Sequence, residues 1–213
     1  MEPGTMLEGR RMFIRSLSPS SQEVYNTAAK QPEVLKTVSF PAGQASVFDL
    51  LMAGKNMEEA ETEYKAQAEA LKTRQERLLY LPEESRVRVP ASFSVRKKNG
   101  ENGYLIEFVK EVELTLPALE KVHPLSDAEV KVLARDMATA LANLLKAGFS
   151  HGHVCAENIV LEPGGHYALN DAALQPGTWK DDQQALLALL KARGLELEAE
   201  EDPWKLLSRL EAL

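Results

Sequence analysis

The sequence has little cysteine, no long apolar run and no export signal, and each of these absences excludes a class of protein. One cysteine occurs in 213 residues, so an internal disulfide is excluded and a reducing compartment is compatible with the chain. No apolar run approaches the roughly 20 residues of a membrane-spanning helix. The first residues carry no basic-then-apolar export signal. We therefore expect a cytoplasmic protein with no membrane insertion, built as one domain or two small lobes.

Basic residues are also scarce. The chain has 25 Lys and Arg against 32 Asp and Glu, a formal net charge of −7. Nucleic-acid binding depends on clustered Lys and Arg side chains that contact phosphates. The short basic groups at residues 10–11 and 96–98 are interpreted as solvated loop charge. We therefore expect no nucleic-acid partner.

What is present is a mixed pattern of strands and helices. Apolar–polar alternation predicts five short strands, and a stripe of apolar residues at helical spacing predicts a long charged helix over 57–80. Two Asn-Gly pairs within 98–103 predict a turn between the last two strands. The five predicted strands cover residues 12–17, 22–28, 33–39, 87–95 and 104–109.

The second half of the chain is predicted to be helical. Ser126-Asp127-Ala128-Glu129 is a capping box, in which Ser126 and Glu129 satisfy free amides of the first helical turn. The apolar stripe that follows predicts a helix that ends at Gly148. Further helices are predicted at about 182–193 and after Asp202-Pro203.

The most informative motif is His151-Gly152-His153-Val154-Cys155-Ala156-Glu157-Asn158-Ile159-Val160-Leu161. It resembles the catalytic loop of protein kinases, His-Arg/Gly-Asp-Leu-Lys-Pro-Glu-Asn followed by aliphatic residues. In this resemblance His153 stands at the position of the catalytic Asp, and Cys155 at that of the Lys. Asn158 is retained, and Asp171, thirteen residues later, has the spacing of the metal-binding Asp of kinases.

Other segments resemble kinase landmarks in the same order. Leu17, Val24 and Tyr25 match the glycine-rich region, although its three glycines are replaced here by Ser18, Ser20 and Glu23. The resemblance then implies the following positions: Lys36 for the phosphate-binding lysine, Glu63 for its helix partner, Ile106 for the gatekeeper, Glu107 to Val109 for the hinge, and Asp182 near the start of the central helix.

The resemblance implies an α+β, two-lobed protein-kinase-like fold. Residues 1–109 would form the N-lobe, with a five-stranded antiparallel sheet and one helix, and residues 110–213 a truncated helical C-lobe. Lys36 and Asp171 would then face one cleft between the lobes. Only the short stretch between Asp171 and Asp181 stands where kinases hold an activation segment, which argues against peptide phosphorylation.

The implied nucleotide site is degenerate. Lys36, Glu63, Asn158 and Asp171, with hinge residues Glu107 and Val109, would form it. Asn158 and Asp171 are hard oxygen donors suited to Mg²⁺, or else structural residues that bond loop backbone or cap a turn.

The replaced glycines argue against close approach of phosphates. We therefore expect no cofactor, or only weak binding of ATP with Mg²⁺. A zinc site at His151, His153 and Cys155 lacks a visible fourth ligand. We expect no catalytic residue and no enzymatic activity.

The preferred hypothesis is an inactive pseudokinase domain that acts as a scaffold by binding another protein. Two alternatives stay open. One is an atypical ATP-dependent phosphotransferase that uses Lys36, Asn158 and Asp171. The other is a binding module gated by a nucleotide or small molecule.

Overall fold

The computed structural model has an α+β chain that divides into two compact units. The first unit comprises 1–73 with 90–112, and the second 74–89 with 113–213. The α+β class predicted from the sequence is therefore confirmed. The residues that the structure describes are 1–7, 9–18, 21–40, 47–89, 92–97, 104–111, 113–172 and 177–212.

An antiparallel sheet forms most of the described part of the first unit. Its six strands lie in the order β1-β2-β3-β4-β6-β5, so the prediction of five strands is corrected to six. The additional strand has only two residues, too few to show an alternating pattern. The strands are β1 (Met6–Leu7), β2 (Arg11–Ser18), β3 (Ser21–Asn26), β4 (Gln31–Phe40), β5 (Ser92–Lys97) and β6 (Tyr104–Glu111).

The strand predicted over 87–95 is wrong in its first part. β5 begins at Ser92, whereas Val87 forms an isolated parallel bridge with Leu169 in the second unit. Pro90 has no amide hydrogen to donate to a ladder and restricts the residue before it, so an unbroken strand through this point is disfavoured.

Two helices belong to this part of the chain: α1 (Val47–Met52), which was not predicted, and α2 (Met57–Leu78). Ala60, Tyr64 and Leu71 are buried on α2, as the apolar stripe predicted. Met57 was assigned to the same stripe but is half exposed. The division between the two units falls within α2, between residues 73 and 74.

The sheet carries a buried ion pair beside its apolar residues. Phe13, Val24 and Glu33 share one face because β2 pairs Phe13 with Val24, and β4 pairs Glu33 with Val24. Arg11 Nε lies 3.0 Å from Glu33 Oε2, and Asn26 Nδ2 donates to Glu33 Oε1 at 2.8 Å. Burial would raise the pKa of Glu33, but the bonds from Asn26 and Arg11 outweigh it and hold that pKa below its ordinary value.

The second unit packs helices around a three-stranded sheet of order β7-β8-β9. Its core includes Leu78 from the end of α2, with Leu133, Met137 and Leu186 among its fully buried side chains. The elements are β7 (Leu114–Thr115), α3 (Leu116–Glu120), α4 (Asp127–Lys146), β8 (Ile159–Leu161), β9 (Tyr167–Leu169), α5 (Trp179–Lys191) and α6 (Pro203–Glu211). None of the described helices is long and apolar enough to cross a membrane.

Helix ends in this unit largely follow the local sequence. The capping box of Ser126 and Glu129 is present, and Gly148 adopts φ 82° just after α4. Leu145, predicted to be buried on α4, is instead exposed. α5 begins three residues earlier than predicted because Thr178 forms a second capping box, with Asp181 at the position where Glu or Gln is usual.

Candidate functional site

The loop from His151 to Asn158 is fixed to the first turn of α5. The Asp182 carboxylate accepts hydrogen bonds from the backbone N–H of His151 at 2.6 Å and of Gly152 at 2.9 Å. The Thr178 cap starts α5 so that Asp182 lies in its first turn. One buried carboxylate therefore satisfies two amides that would otherwise have to be hydrogen-bonded elsewhere.

Burial dominates the electrostatics of Asp182. It raises the pKa of this carboxyl group, while the amides of His151 and Gly152 act in the opposite direction. In the part of the chain that the structure describes, Asp182 accepts from backbone amides of the loop and forms no ion pair, so dipoles of the loop backbone compensate its charge. This arrangement holds a loop in place, and it does not resemble a base exposed to substrate.

The His151 side chain is fully buried, and its hydrogen bonds define which ring nitrogen carries the proton. The backbone N–H of His153 donates to His151 Nδ1 at 3.1 Å, so that nitrogen carries no proton. His151 Nε2 therefore carries the proton and donates to the Asn170 carbonyl oxygen at 2.6 Å. The imidazole thereby joins the loop to the residue that follows β9.

Asn158 holds the other end of the loop. Its Nδ2 donates to the His153 carbonyl oxygen at 3.0 Å, and its backbone N–H donates to the Cys155 carbonyl at 3.1 Å. The Asn158 carbonyl oxygen accepts from the Asn170 N–H at 2.7 Å. Asn158 and Asp171 are therefore brought close together, since Asp171 directly follows Asn170.

Asn170 was not singled out from the sequence, yet it bonds three residues of the site. Besides its backbone bonds to His151 and Asn158, its Nδ2 donates to Glu113 Oε2 at 2.6 Å. Glu113 Oε1 accepts from Arg88 Nε at 2.8 Å. The adjacency of Asn170 to Asp171 was the available signal, but the partners lie 57 positions apart in the chain and only the fold brings them together.

Asp171 has a backbone conformation that non-glycine residues adopt infrequently. Its φ is 63°, in the left-handed region where Asp and Asn are enriched. The carbonyl of the next residue, Ala172, accepts a bond from Gln75 Nε2 at 2.9 Å. The chain therefore turns sharply at the position that the kinase resemblance assigns to a metal ligand.

A close backbone approach also shapes the loop. Gly177 passes so near Gly152 that a Cβ at position 177 would lie 2.6 Å from the Gly152 Cα atom. Ser150 Oγ donates to the Gly177 carbonyl oxygen at 2.7 Å. Gly177 is therefore required by space, which the sequence alone did not indicate.

His153 and Cys155 differ in environment. His153 is exposed, whereas His151, two residues earlier, is buried and bonded to Asn170. Burial raises the pKa of the Cys155 thiol, so a thiolate is disfavoured. In the part of the chain that the structure describes, no group of three or more His, Cys, Asp or Glu residues is arranged to hold a metal ion.

The candidate residues of the first unit are positioned by its sheet. Lys36 lies on β4, opposite Ser21 of β3 and Phe108 of β6. Glu63, the candidate partner of Lys36, forms an ion pair with Lys55. Glu23, which replaces a glycine of the loop, accepts a bond from Arg15 Nε at 2.6 Å, so its charge is compensated.

The hinge candidates lie within a strand. Glu107 and Val109 are part of β6 and pair with residues of both β4 and β5. Ser20 in the glycine-loop region, the Asn-Gly turn at 98–103 and Ala173 lie outside the described residues.

Comparison with known proteins identifies no relative. No protein-family model matches the chain, and a search of curated proteins finds no match. The kinase resemblance therefore rests on the residues of this chain alone.

Proposed function

We propose that the chain is a catalytically inactive kinase-like domain that acts as a scaffold by binding another protein. The observation that carries the proposal is the bonding of the 151–158 loop. Asp182, His151 and Asn158 each form hydrogen bonds to backbone groups of this region. The loop is thus held in a defined shape, while the position of the catalytic carboxylate carries an exposed imidazole, His153.

A phosphotransferase needs a group that accepts the proton of the attacking hydroxyl, and kinases use an aspartate for it. Here Asp182, a buried carboxylate bonded to the loop, accepts hydrogen bonds from two amides. The partly buried thiol of Cys155 offers no cation to stabilise developing charge. These features support binding over catalysis.

The test is phosphate transfer from labelled ATP with Mg²⁺ or Mn²⁺ to the chain itself and to a generic protein substrate. We expect none. Transfer that Asp171→Ala abolishes and that Glu157→Ala, an exposed change in the same region, leaves intact would overturn the proposal.

One observation favours a second candidate, an atypical phosphotransferase or nucleotide-gated module that uses Lys36, Asn158 and Asp171. Asp171 adopts a positive φ next to Asn158, and such backbone strain is concentrated at functional sites. A nucleotide at 100 times its dissociation constant would stabilise the chain by about 2.7 kcal/mol. A rise in melting temperature with millimolar ATP and Mg²⁺ that is lost in Lys36→Ala would favour this candidate.

A further inference from the structure

A groove of about 620 Å³ lies in the second unit, where the chain leaves α2. Its apolar lining includes Leu78, Leu81, Pro82 and Val87. The volume lies in the range of pockets that bind small molecules or a few side chains of a partner. Large apolar side chains beside it are exposed, with Tyr80 87% accessible.

The backbone along this groove is the outer edge of a small sheet. Leu169 N–H donates to the Arg86 carbonyl at 2.8 Å, and Arg88 N–H donates to the Leu169 carbonyl at 3.0 Å. Arg86 has a left-handed φ of 58°, so the extended stretch begins at Val87. Successive residues of an extended chain direct their backbone groups to opposite sides. The backbone groups of Val87 and Val89 therefore face away from β9.

This edge retains hydrogen-bonding capacity. The Val87 N–H donates to Ser85 Oγ at 3.3 Å, a long bond. Among the described residues, no hydrogen bond is recorded for the Val87 carbonyl or for the backbone of Val89. An extended peptide supplies the matching donors and acceptors, whereas a helix has already used its own.

The charged side chains of the groove are held in place by carboxylates. Arg86 Nε lies 3.2 Å from Asp136 Oδ1, and Arg88 Nε lies 2.8 Å from Glu113 Oε1. Glu162 lies between the two guanidinium groups, at 3.3 Å and 3.6 Å. The guanidinium charges are therefore compensated, so the groove does not select an anion.

Glu84 is the remaining charged residue of the lining and is exposed, with no ion pair recorded in the described part of the chain. An occupant with a basic side chain near Glu84 would complement this charge.

We propose that this groove binds an extended segment of a partner protein, which adds as a strand along residues 87–89. Alternate apolar side chains of the segment enter the groove, and one basic side chain pairs with Glu84. The proposal rests on the proposed function, in which the chain acts by binding protein, and names the surface that does so. The mode is strand addition, in which backbone bonds give affinity and pockets give specificity.

The probe for the test is a fluorescein-labelled peptide of sequence Val-Lys-Val-Leu-Val-Lys, titrated with the full chain and followed by anisotropy. Leu81→Glu places a charge in the apolar lining and should weaken binding about tenfold or more. Val122→Glu is the matched control, since Val122 is largely exposed and lies outside the groove. It should leave the affinity unchanged.

Two further measurements separate strand addition from apolar adsorption. A probe with N-methylated amides cannot donate to the edge and should bind about tenfold more weakly. Glu84→Lys should weaken binding of the lysine probe, and a probe with Glu in place of Lys should recover it. Circular dichroism of Leu81→Glu checks its folding, and Glu84→Lys tests the same surface if that variant unfolds.

No binding by the wild-type chain at millimolar probe, equal binding of the N-methylated probe, or no effect of Leu81→Glu in a folded chain would overturn the proposal. Failure of the inactive-kinase proposal differs from failure of the groove proposal, because it appears as phosphate transfer and leaves the probe affinity unaltered. If the probe does not bind and no phosphate is transferred, only the groove proposal is overturned.

Discussion

Glu33 in the first unit and Asp182 in the second are both buried carboxylates, yet they are compensated in different ways. Glu33 is bonded to the side chains of Arg11 and Asn26 within one sheet. Asp182 is bonded to the backbone amides of His151 and Gly152, 31 and 30 positions away in the chain. The pKa of Glu33 is lowered, whereas that of Asp182 is raised.

The difference indicates two roles. The bonds from the Asn26 amide and the Arg11 guanidinium outweigh the effect of burial on the pKa of Glu33, so its charged form is favoured. Amide dipoles compensate less of the charge, so burial raises the pKa of Asp182. The two hydrogen bonds that Asp182 accepts hold the loop in a fixed position. Glu33 therefore serves the stability of its sheet, while Asp182 connects a helix to the candidate site. Four experiments test this comparison.

The largest effect is expected for Glu33→Leu. It leaves the Arg11 guanidinium buried without its carboxylate, which costs about 3–5 kcal/mol. Glu23→Leu is the matched control in the same sheet, because its partner Arg15 is 70% exposed and such pairs contribute less than about 1 kcal/mol. Urea unfolding measures both. Equal losses in the two variants would contradict the distinction, and the double change Arg11→Met with Glu33→Leu should recover most of the loss.

Asp182→Ala should cost about 2–4 kcal/mol, since it leaves two buried amides without an acceptor. Thermal or urea unfolding measures the loss, and hydrogen exchange should accelerate at the amides of His151 and Gly152. Glu157→Ala, an exposed change in the same loop, should stay within about 0.5 kcal/mol of the wild type. Unchanged exchange at the two amides would show that Asp182 does not hold the loop.

Thr178→Ala and Ser126→Ala remove the two capping boxes and should each cost about 1 kcal/mol. Only the first cap starts the helix that carries Asp182. Thr178→Ala should therefore also accelerate exchange at His151 and Gly152, whereas Ser126→Ala should not. If both variants had the same effect on the loop, the position of α5 would not be what orients Asp182.

The smallest effect concerns pH. Because the pKa of Glu33 is lowered in the folded chain, its stabilisation is present above the ordinary value of 4.5 and is lost as the pH falls through the lowered pKa. The contribution of Asp182 to stability depends on pH in the opposite direction. Because its pKa is raised in the folded chain, the unfolded chain loses this proton first, and stability falls as the pH rises from 3.8 to the raised value.

Glu33→Gln should therefore flatten the rise of stability with pH in the acid range, and Asp182→Asn should steepen it. Melting temperatures measured between about pH 3 and pH 6 provide the check. A change of slope in the same direction for both variants would contradict the assigned signs.

Local signals in the sequence predicted the helical part of the fold best. The Ser126 capping box, Gly148 and the Asp202-Pro203 start each act within one helical turn, so they are readable without the rest of the chain. The start of α5 was placed too late because Asp181 takes the role usual for Glu or Gln. The first part of the strand predicted over 87–95 was wrong because an alternating pattern does not identify the pairing partner.

The candidate site was only partly predictable. His151, Asn158, Asp171 and Asp182 were singled out by their resemblance to a kinase loop, and the structure brings these four together in the second unit. Asn170, Glu113 and Gly177 were missed because their importance comes from contacts with distant residues. In the first unit, Lys36 lies on β4, and Glu63 forms an ion pair with Lys55. Both observations concern that unit alone.

The sequence by itself determined the α+β composition, the starts of α4 and α6, and the absence of a carboxylate at position 153, since each depends on residue identity or on neighbours within a turn. The tertiary structure alone decided that Val87 pairs with Leu169, that Asp182 accepts from the loop amides and that Glu33 is buried with Arg11. The physical reason is range: caps and turns gain their free energy locally, whereas burial of a charge is tolerated only where residues far apart in the chain meet to compensate it.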